Sequence, residues 1–284
     1  MGVSSWCEDL LLIVYSKKRY LARALICDTI RMLNGDLSVD LTAVFLKSVS
    51  CGRLAENPVI QNSEFRIQKF PIMVITWYGQ SCFKIQSGET VIFTDPFDKE
   101  IGLTPPRGQA HIVTVSHKHF DHNNVESLTG EPLIIKGPGE YETRGVNIRG
   151  VFSFHDEQEG KQRGISTIYI IEVEDIKICH LGDLGQKKLT DEQLEQIGEV
   201  DILMIPVGGT YTIDGEEAVE IINQIEPRLV VPMHYKIPGV NAKFDGVDVF
   251  LKEMGVAKKE LQEKLTLKKK DLPQEETEVV VMKI

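Results

Sequence analysis

From Met73 onward the chain carries short bursts of alternating apolar and polar positions. Met73 to Tyr78 alternates and is rich in β-formers, Ser81 to Gln86 follows after Gly79, and a Ser87-Gly88 turn leads into Thr90 to Asp95. Short runs separated by turn residues predict a meander of strands. His111 to Ser116 is another β-branched run, and Asn123 to Leu128 reads as a short helix. Val146 to Phe154, Ser166 to Val173 and Ile176 to Leu181 are further strands, the last two joined by a tight Glu174-Asp175 turn. Thr190 to Ile197 is a helix with Thr190 as N-cap. Asp201 to Pro206 is a buried strand, Gly215 to Ile225 a helix, Leu229 to Met233 a strand, Val247 to Met254 a helix, and Glu278 to Ile284 a closing strand. Strand pairs followed by helix–strand units occur twice. That order predicts an α/β (α+β) fold, with two sheets and helices outside them in a four-layer αββα sandwich.

The first 72 residues differ in kind. Residues 1 to about 34 read as helical through Leu21, Ala24, Leu25 and Asp28 to Met32, with Gly35 as a stop. From Asp36 to about Phe70 the pattern is weak and no chemical motif is present. This stretch holds no histidine but three of the five cysteines, Cys7, Cys27 and Cys51. It carries nine basic and seven acidic side chains, against 23 and 35 in the remainder. The chain therefore divides into an extension over 1–72 and a domain over 73–284.

The net charge of -10 over 284 residues argues against a general nucleic-acid or anionic-membrane binder, which needs a basic surface. Five cysteines with no CxxC spacing argue against a disulfide framework or a thiolate zinc ribbon. The apolar run Leu10 to Tyr15 is too short to span a bilayer and follows Glu8 and Asp9 rather than a basic segment. Trp6 stands where a myristoylation signal needs Ser or Thr. A cytoplasmic protein with reduced thiols is the expectation.

The chemistry concentrates in Ser116-His117-Lys118-His119-Phe120-Asp121-His122. His117 and His119 lie two apart at a strand end, where side chains at i and i+2 share a face and reach one ion. Asp121 and His122 are adjacent and need a turn, so they diverge toward a second ion. Imidazole and carboxylate together suit zinc and related divalent metals. Further candidates each follow a predicted strand: His155 with Asp156, Asp183 in His180-Leu181-Gly182-Asp183, and His234 after Met233. Groups at the same ends of several strands converge on one rim.

Their order resembles the metal-binding motifs of the metallo-β-lactamase-fold hydrolases. The finer likeness is to the branch of uncharacterised zinc-dependent hydrolases that includes ascorbate-6-phosphate lactonase-like proteins. It is carried by Ile75-Thr76-Trp77-Tyr78-Gly79, Thr94-Asp95-Pro96-Phe97, Ile205 to Gly209 and Pro232-Met233-His234-Tyr235, and it covers residues 73 to 284. The resemblance implies a sandwich of metallo-β-lactamase type. It also implies two metal sites: His117, His119 and His155 at the first, Asp121, His122 and His234 at the second, and Asp183 between them. Asp121 and Asp183 would be the catalytic carboxylates. The implied cofactors are two divalent ions, zinc foremost with Mn2+ or Fe2+ as alternatives, activating a hydroxide against an ester, lactone or phosphoester. Two dications, two aspartates and one hydroxide leave such a site near +1, which suits a small anionic substrate. Relatives of this kind begin near the position of Met73, so residues 1–72 are read as an appendage or as upstream sequence from a misassigned start.

Gln80 stands where relatives often have His, and Leu184 where they often have Thr. His119, where the di-iron branch has Glu, favours zinc. Asp95 is a candidate to orient the ligands, and His180 either does the same or serves the strand end. Gly208-Gly209-Thr210-Tyr211 reads as an oxyanion cradle or a plain loop, and Gly137-Pro138-Gly139 as a turn. Lys236 and Arg144 read as solvated charges or anion contacts, and Lys268-Lys269-Lys270 as a solvated loop. The expected partner is a small-molecule substrate, with no nucleic acid and no membrane, and a homo-oligomer is compatible. The competing functions are a nuclease or phosphodiesterase of the same fold and a non-catalytic metal-binding protein.

Overall fold

The computed structural model describes residues 72–257 and 260–284. The helix expected over 1–34, its stop at Gly35 and the weak stretch to Phe70 lie outside the described residues. Thirteen strands make two mixed sheets. In the first, β1 (Met73–Gly79), β2 (Cys82–Ser87) and β3 (Thr90–Thr94) form the predicted meander. β4 (Ile112–Val115) and β5 (Leu133–Lys136) add parallel to β3, and β12 (Leu265–Leu267) closes the other edge, for the order β12-β1-β2-β3-β4-β5. The second sheet contains β6 (Gly139–Thr143), β7 (Val146–Phe154), β8 (Ile165–Val173), β9 (Ile176–His180), β10 (Ile202–Pro206), β11 (Leu229–Met233) and β13 (Glu278–Val279). Its order is β13-β11-β10-β9-β8-β7-β6, antiparallel from β6 to β9 and parallel from there to β13.

The period-two pattern decides what each face of the first sheet meets. Phe83, Ile85, Ile92 and Ile112 point inward and share one core with Ile148, Ile168 and Ile171 of the second sheet. The alternating residues Cys82, Val91, Phe93, Val113 and Val115 point outward and pack with Phe97, Ile101 and Leu128. The central strands β10 and β11 are apolar throughout because helices cover their other face. These helices are α1 (Asp191–Ile197), α2 (Gly215–Ile225) and α3 (Val247–Glu253). α1 and α2 start on capping boxes, Thr190 with Gln193 and Asp214 with Glu217, so Thr190 is the N-cap its sequence predicts. The result is the expected α/β sandwich. Among the described residues, no helix is long and apolar enough to cross a membrane.

One buried side chain joins the two sheets. The Tyr169 hydroxyl of β8 lies 2.9 Å from Val115 O and 3.2 Å from Ile135 O, and accepts from Gly137 N at 2.9 Å. Burial pushes its pKa up, so it stays a neutral phenol able to donate.

Several elements depart from the sequence pattern. β5, β6 and β12 were not predicted. β5 and β6 are edge strands with largely exposed side chains, so main-chain pairing rather than an apolar stripe defines them. The expected helix over 123–128 is one 3-10 turn, Val125–Ser127, with no side-chain cap. The closing strand splits, with Glu278–Val279 on β11 and Val281–Met282 on Leu261–Gln262. Lys269 is not simply solvated; it pairs with the largely buried Asp201.

Candidate metal centre

β7, β9, β10 and β11 all run in one direction, so their C-terminal ends share an edge of the second sheet. His155 follows β7, Asp183 lies just beyond β9, and His234 follows β11. β4 delivers Ser116 to His122 from the other sheet. Three close approaches need glycine. A Cβ on Gly182, at φ +55°, would sit 2.6 Å from Ser116 Cβ; one on Gly185 would sit 2.4 Å from the His155 carbonyl carbon; one on Gly208 would sit 2.1 Å from His234 O.

All seven candidate residues converge. The ligand atoms of His117, His119 and His155 lie within 4.8 Å of one another, and so do those of Asp121, His122 and His234. Asp183 sits between the two groups. Its Oδ2 is 3.4 Å from both His155 Nε2 and His234 Nε2, 3.1 Å from His122 Nε2 and 3.9 Å from His117 Nε2. His119 is exposed and Asp121 half-buried, so the cluster opens on that side.

Behind the cluster, Asp95 sets the orientation. It is fully buried at the end of β3, with φ +39°. It accepts from Ser116 N at 2.7 Å and Ser116 Oγ at 2.6 Å, and lies 3.0 Å from His122 Nδ1. Ser116 Oγ also lies 3.0 Å from His117 Nδ1. A hydroxyl has one proton. If the carboxylate takes it, Ser116 must accept from His117 Nδ1–H. In their neutral forms both His117 and His122 then carry the proton on Nδ1 and turn the Nε2 lone pair to the cluster, where His117 Nε2 lies 2.9 Å from His119 Nδ1; that is the tautomer a metal ligand needs.

The electrostatics are those of carboxylates and imidazoles buried side by side. Burial pushes the Asp183 carboxyl up, but His122 and His234 outweigh it and hold the pKa well below the usual range. Burial pushes His122 down, but Asp183 and Asp121 raise it well above the ordinary value. Burial and the neighbouring His122 push His117 down to about 3. Burial alone would raise Asp121, yet His122 holds it below the normal carboxylate range.

The buried atoms His122 Nε2, His155 Nδ1, His234 Nδ1, His234 Nε2 and Gln80 Oε1 have no hydrogen-bond partner. His122 Nε2 is close to Asp183 Oδ2, but its angle is not that of a hydrogen bond. Buried orphan nitrogens are costly unless a further group completes them. Of these, His122 Nε2 and His234 Nε2 face the Asp183 carboxylate, and imidazole with carboxylate is the donor set that suits divalent metal ions.

The remaining sequence candidates divide. His180 is fully buried and outside the cluster; its Nε2 lies 2.8 Å from Ser81 O, and its Nδ1 accepts from Gly182 N at 3.3 Å. It thereby supports Ser81, whose Oγ lies 3.4 Å from Asp183 Oδ1. His111 Nδ1 accepts from Val91 N and serves the strand. In the 208–212 stretch the N–H groups of Gly209, Tyr211 and Thr212 are engaged within their own turn. Lys236 donates to Val240 O and Ala242 O and closes a loop. Three groups make contacts that the sequence pattern does not announce. Gln80 Nε2 donates to Asp121 Oδ2 at 3.4 Å. Ser116 links Asp95 to His117. The Asp156 carboxylate accepts four backbone N–H groups, of Gln158, Gly160, Gln162 and Arg163, and so fixes the 156–164 loop.

Residues 74–234 match the family model described as a beta-lactamase superfamily domain. A UPF0173 metal-dependent hydrolase of Thermoplasma volcanium is 30% identical over 190 residues, covering 57% of this chain and 82% of that protein. A crystal structure of a candidate Zn-dependent hydrolase of the metallo-β-lactamase superfamily from Thermotoga maritima is 37% identical, with TM-score 0.60 over 75% of this chain and 100% of that one. The Ignicoccus hospitalis metallo hydrolase Igni18 is 21% identical, with TM-score 0.51 over 69% of this chain and 99% of that one, and shares the fold.

Proposed function

The chain belongs to the beta-lactamase superfamily as a metal-dependent hydrolase, and from that premise we propose that it is a dinuclear zinc enzyme cleaving an ester, lactone or phosphoester of a small anionic substrate. The observation that carries this reading is Asp183 Oδ2, equidistant at 3.4 Å from a histidine of each triad. His117, His119 and His155 would hold one ion, Asp121, His122 and His234 the other, and Asp183 would touch both. Bound divalent ions would supply Lewis-acid activation of water and of the scissile carbonyl or phosphoryl group.

The chain's own residues do the rest. Asp95 and Ser116 keep His117 and His122 in one tautomer and one orientation. Asp121 is the carboxylate on the open side, held ionised by His122, and in this reading it orients the attacking water. Gln80 donates to its Oδ2 and limits its rotation. His180 and Ser81 support Asp183 from behind.

The test is a panel of lactones, phosphomonoesters, phosphodiesters and thioesters assayed with zinc-loaded protein, alongside Asp183→Ala. Hydrolysis of one class, lost with metal loading in the variant, supports the reading. Unchanged activity in Asp183→Ala would refute the bridging role, and zinc binding without any hydrolysis would favour a metal-binding protein.

A further inference from the structure

An anionic substrate needs a cationic partner, and the chain's cations differ in how they are held. Lys236 is engaged by two carbonyls, and Arg144 sits in the exposed turn between β6 and β7. Arg163 differs. Its backbone is pinned beside His155: Arg163 N donates to Asp156 Oδ2 at 2.7 Å, and the next residue, Gly164, accepts from His155 N at 3.1 Å.

The Arg163 guanidinium donates to Thr210 O at 3.2 Å and lies over the Tyr211 ring, 5.4 Å from its centroid. No carboxylate among the described residues lies within ion-pairing distance of it. Tyr211 packs edge-on against Phe244 at 5.8 Å, and Phe244 packs on His234 at 4.6 Å. A continuous wall therefore runs along the rim from His155, through Arg163, Tyr211 and Phe244, to His234.

We infer that this wall is the specificity subsite of the enzyme, with Arg163 binding a carboxylate or phosphate of the substrate and Phe244 and Tyr211 contacting its flat apolar body. The inference rests on the hydrolytic reading and names where the substrate's charge is recognised. A guanidinium carries five N–H donors in a fixed fork that matches carboxylate and phosphate oxygens. One donor is used on Thr210, and no other hydrogen bond engages the group among the described residues. The Tyr211 ring lies against the group, and Asp156 fixes the loop that carries it, so little ordering accompanies binding. The reacting bond would lie over the His/Asp cluster with the oxyanion at Arg163.

The test uses zinc-loaded full-length chain and calorimetry with benzoate and phenylphosphonate, which separate the two oxyanions, and benzamide as the neutral control. At least one oxyanion binds the unaltered protein more tightly than benzamide. Arg163→Gln lowers that affinity tenfold or more, with zinc content and benzamide binding unchanged. Arg163→Lys restores only part, because a point charge lacks the fork. Phe244→Ala weakens all three probes alike. Equal oxyanion affinity in the unaltered protein and Arg163→Gln would overturn the assignment, as would no oxyanion binding at all. Because binding needs no turnover, a protein that binds through Arg163 yet hydrolyses nothing overturns only the hydrolytic reading.

Discussion

Asp95→Asn changes one atom of a fully buried side chain, and its effect follows from proton positions. The carboxylate accepts from Ser116 N, Ser116 Oγ and His122 Nδ1. An amide offers one accepting oxygen and one donating nitrogen. With the oxygen kept on Ser116 N, the nitrogen faces Ser116 Oγ and His122 Nδ1. Ser116 must then accept from the amide and turn its own proton toward His117 Nδ1, which drives the His117 proton onto Nε2. His122 must likewise release its Nδ1 proton and carry one on Nε2. Both nitrogens that should face an ion then lose their lone pair, one in each proposed site.

Loss of such an orienting partner weakens metal affinity by roughly 10–100-fold, or about 1.4–2.8 kcal/mol per site. The two effects share one network and need not add. The assay is zinc titration of metal-free Asp95→Asn against a chelator of known affinity, with thermal melting of the same sample to confirm folding. The reasoning predicts that both sites weaken. Two zinc ions bound with unaltered affinity to the folded variant would refute it.

Other expectations follow from the same geometry. Tyr169→Phe removes the hydroxyl between Val115 O, Ile135 O and Gly137 N, so it costs about 1–3 kcal/mol of stability; the melting temperature falls while zinc content stays, and an unchanged melt would contradict this. Gly208→Ala places a methyl 2.1 Å from His234 O, a backbone atom that cannot step aside. That variant should bind one zinc fewer per chain by mass spectrometry, and retention of full zinc content would count against the packing argument. Chelation should destabilise the protein, since ions at 100 times their Kd contribute about 2.7 kcal/mol; a melting curve indifferent to chelator would oppose a metal centre.

The sequence carried the site well because its groups are chemically distinctive and follow strand ends. His117, His119, Asp121, His122, His155, Asp183 and His234 all converge. The supporting groups were less legible. Ser81 meets Asp183 across 102 positions and Gln80 meets Asp121 across 41, and neither residue type marks itself in a one-dimensional pattern. Asp95 was legible as the acidic residue after β3, but its partner Ser116 was not. The wall of Arg163, Tyr211 and Phe244 comes from three separate loops, so no local spacing announces it. For the fold, buried strands such as β10 and β11 declare themselves by apolar runs. The edge strands β5 and β6 do not, because half or more of their surface faces away from any core and only the neighbouring backbone makes them strands.

The central claim is that two ions sit in two triads joined by Asp183. Anomalous diffraction at the zinc edge from crystals of zinc-loaded protein tests it most directly. The account predicts two peaks, one among His117, His119 and His155, the other among Asp121, His122 and His234, with the Asp183 carboxylate touching both. A single peak, or zinc bound away from Asp183, would contradict it.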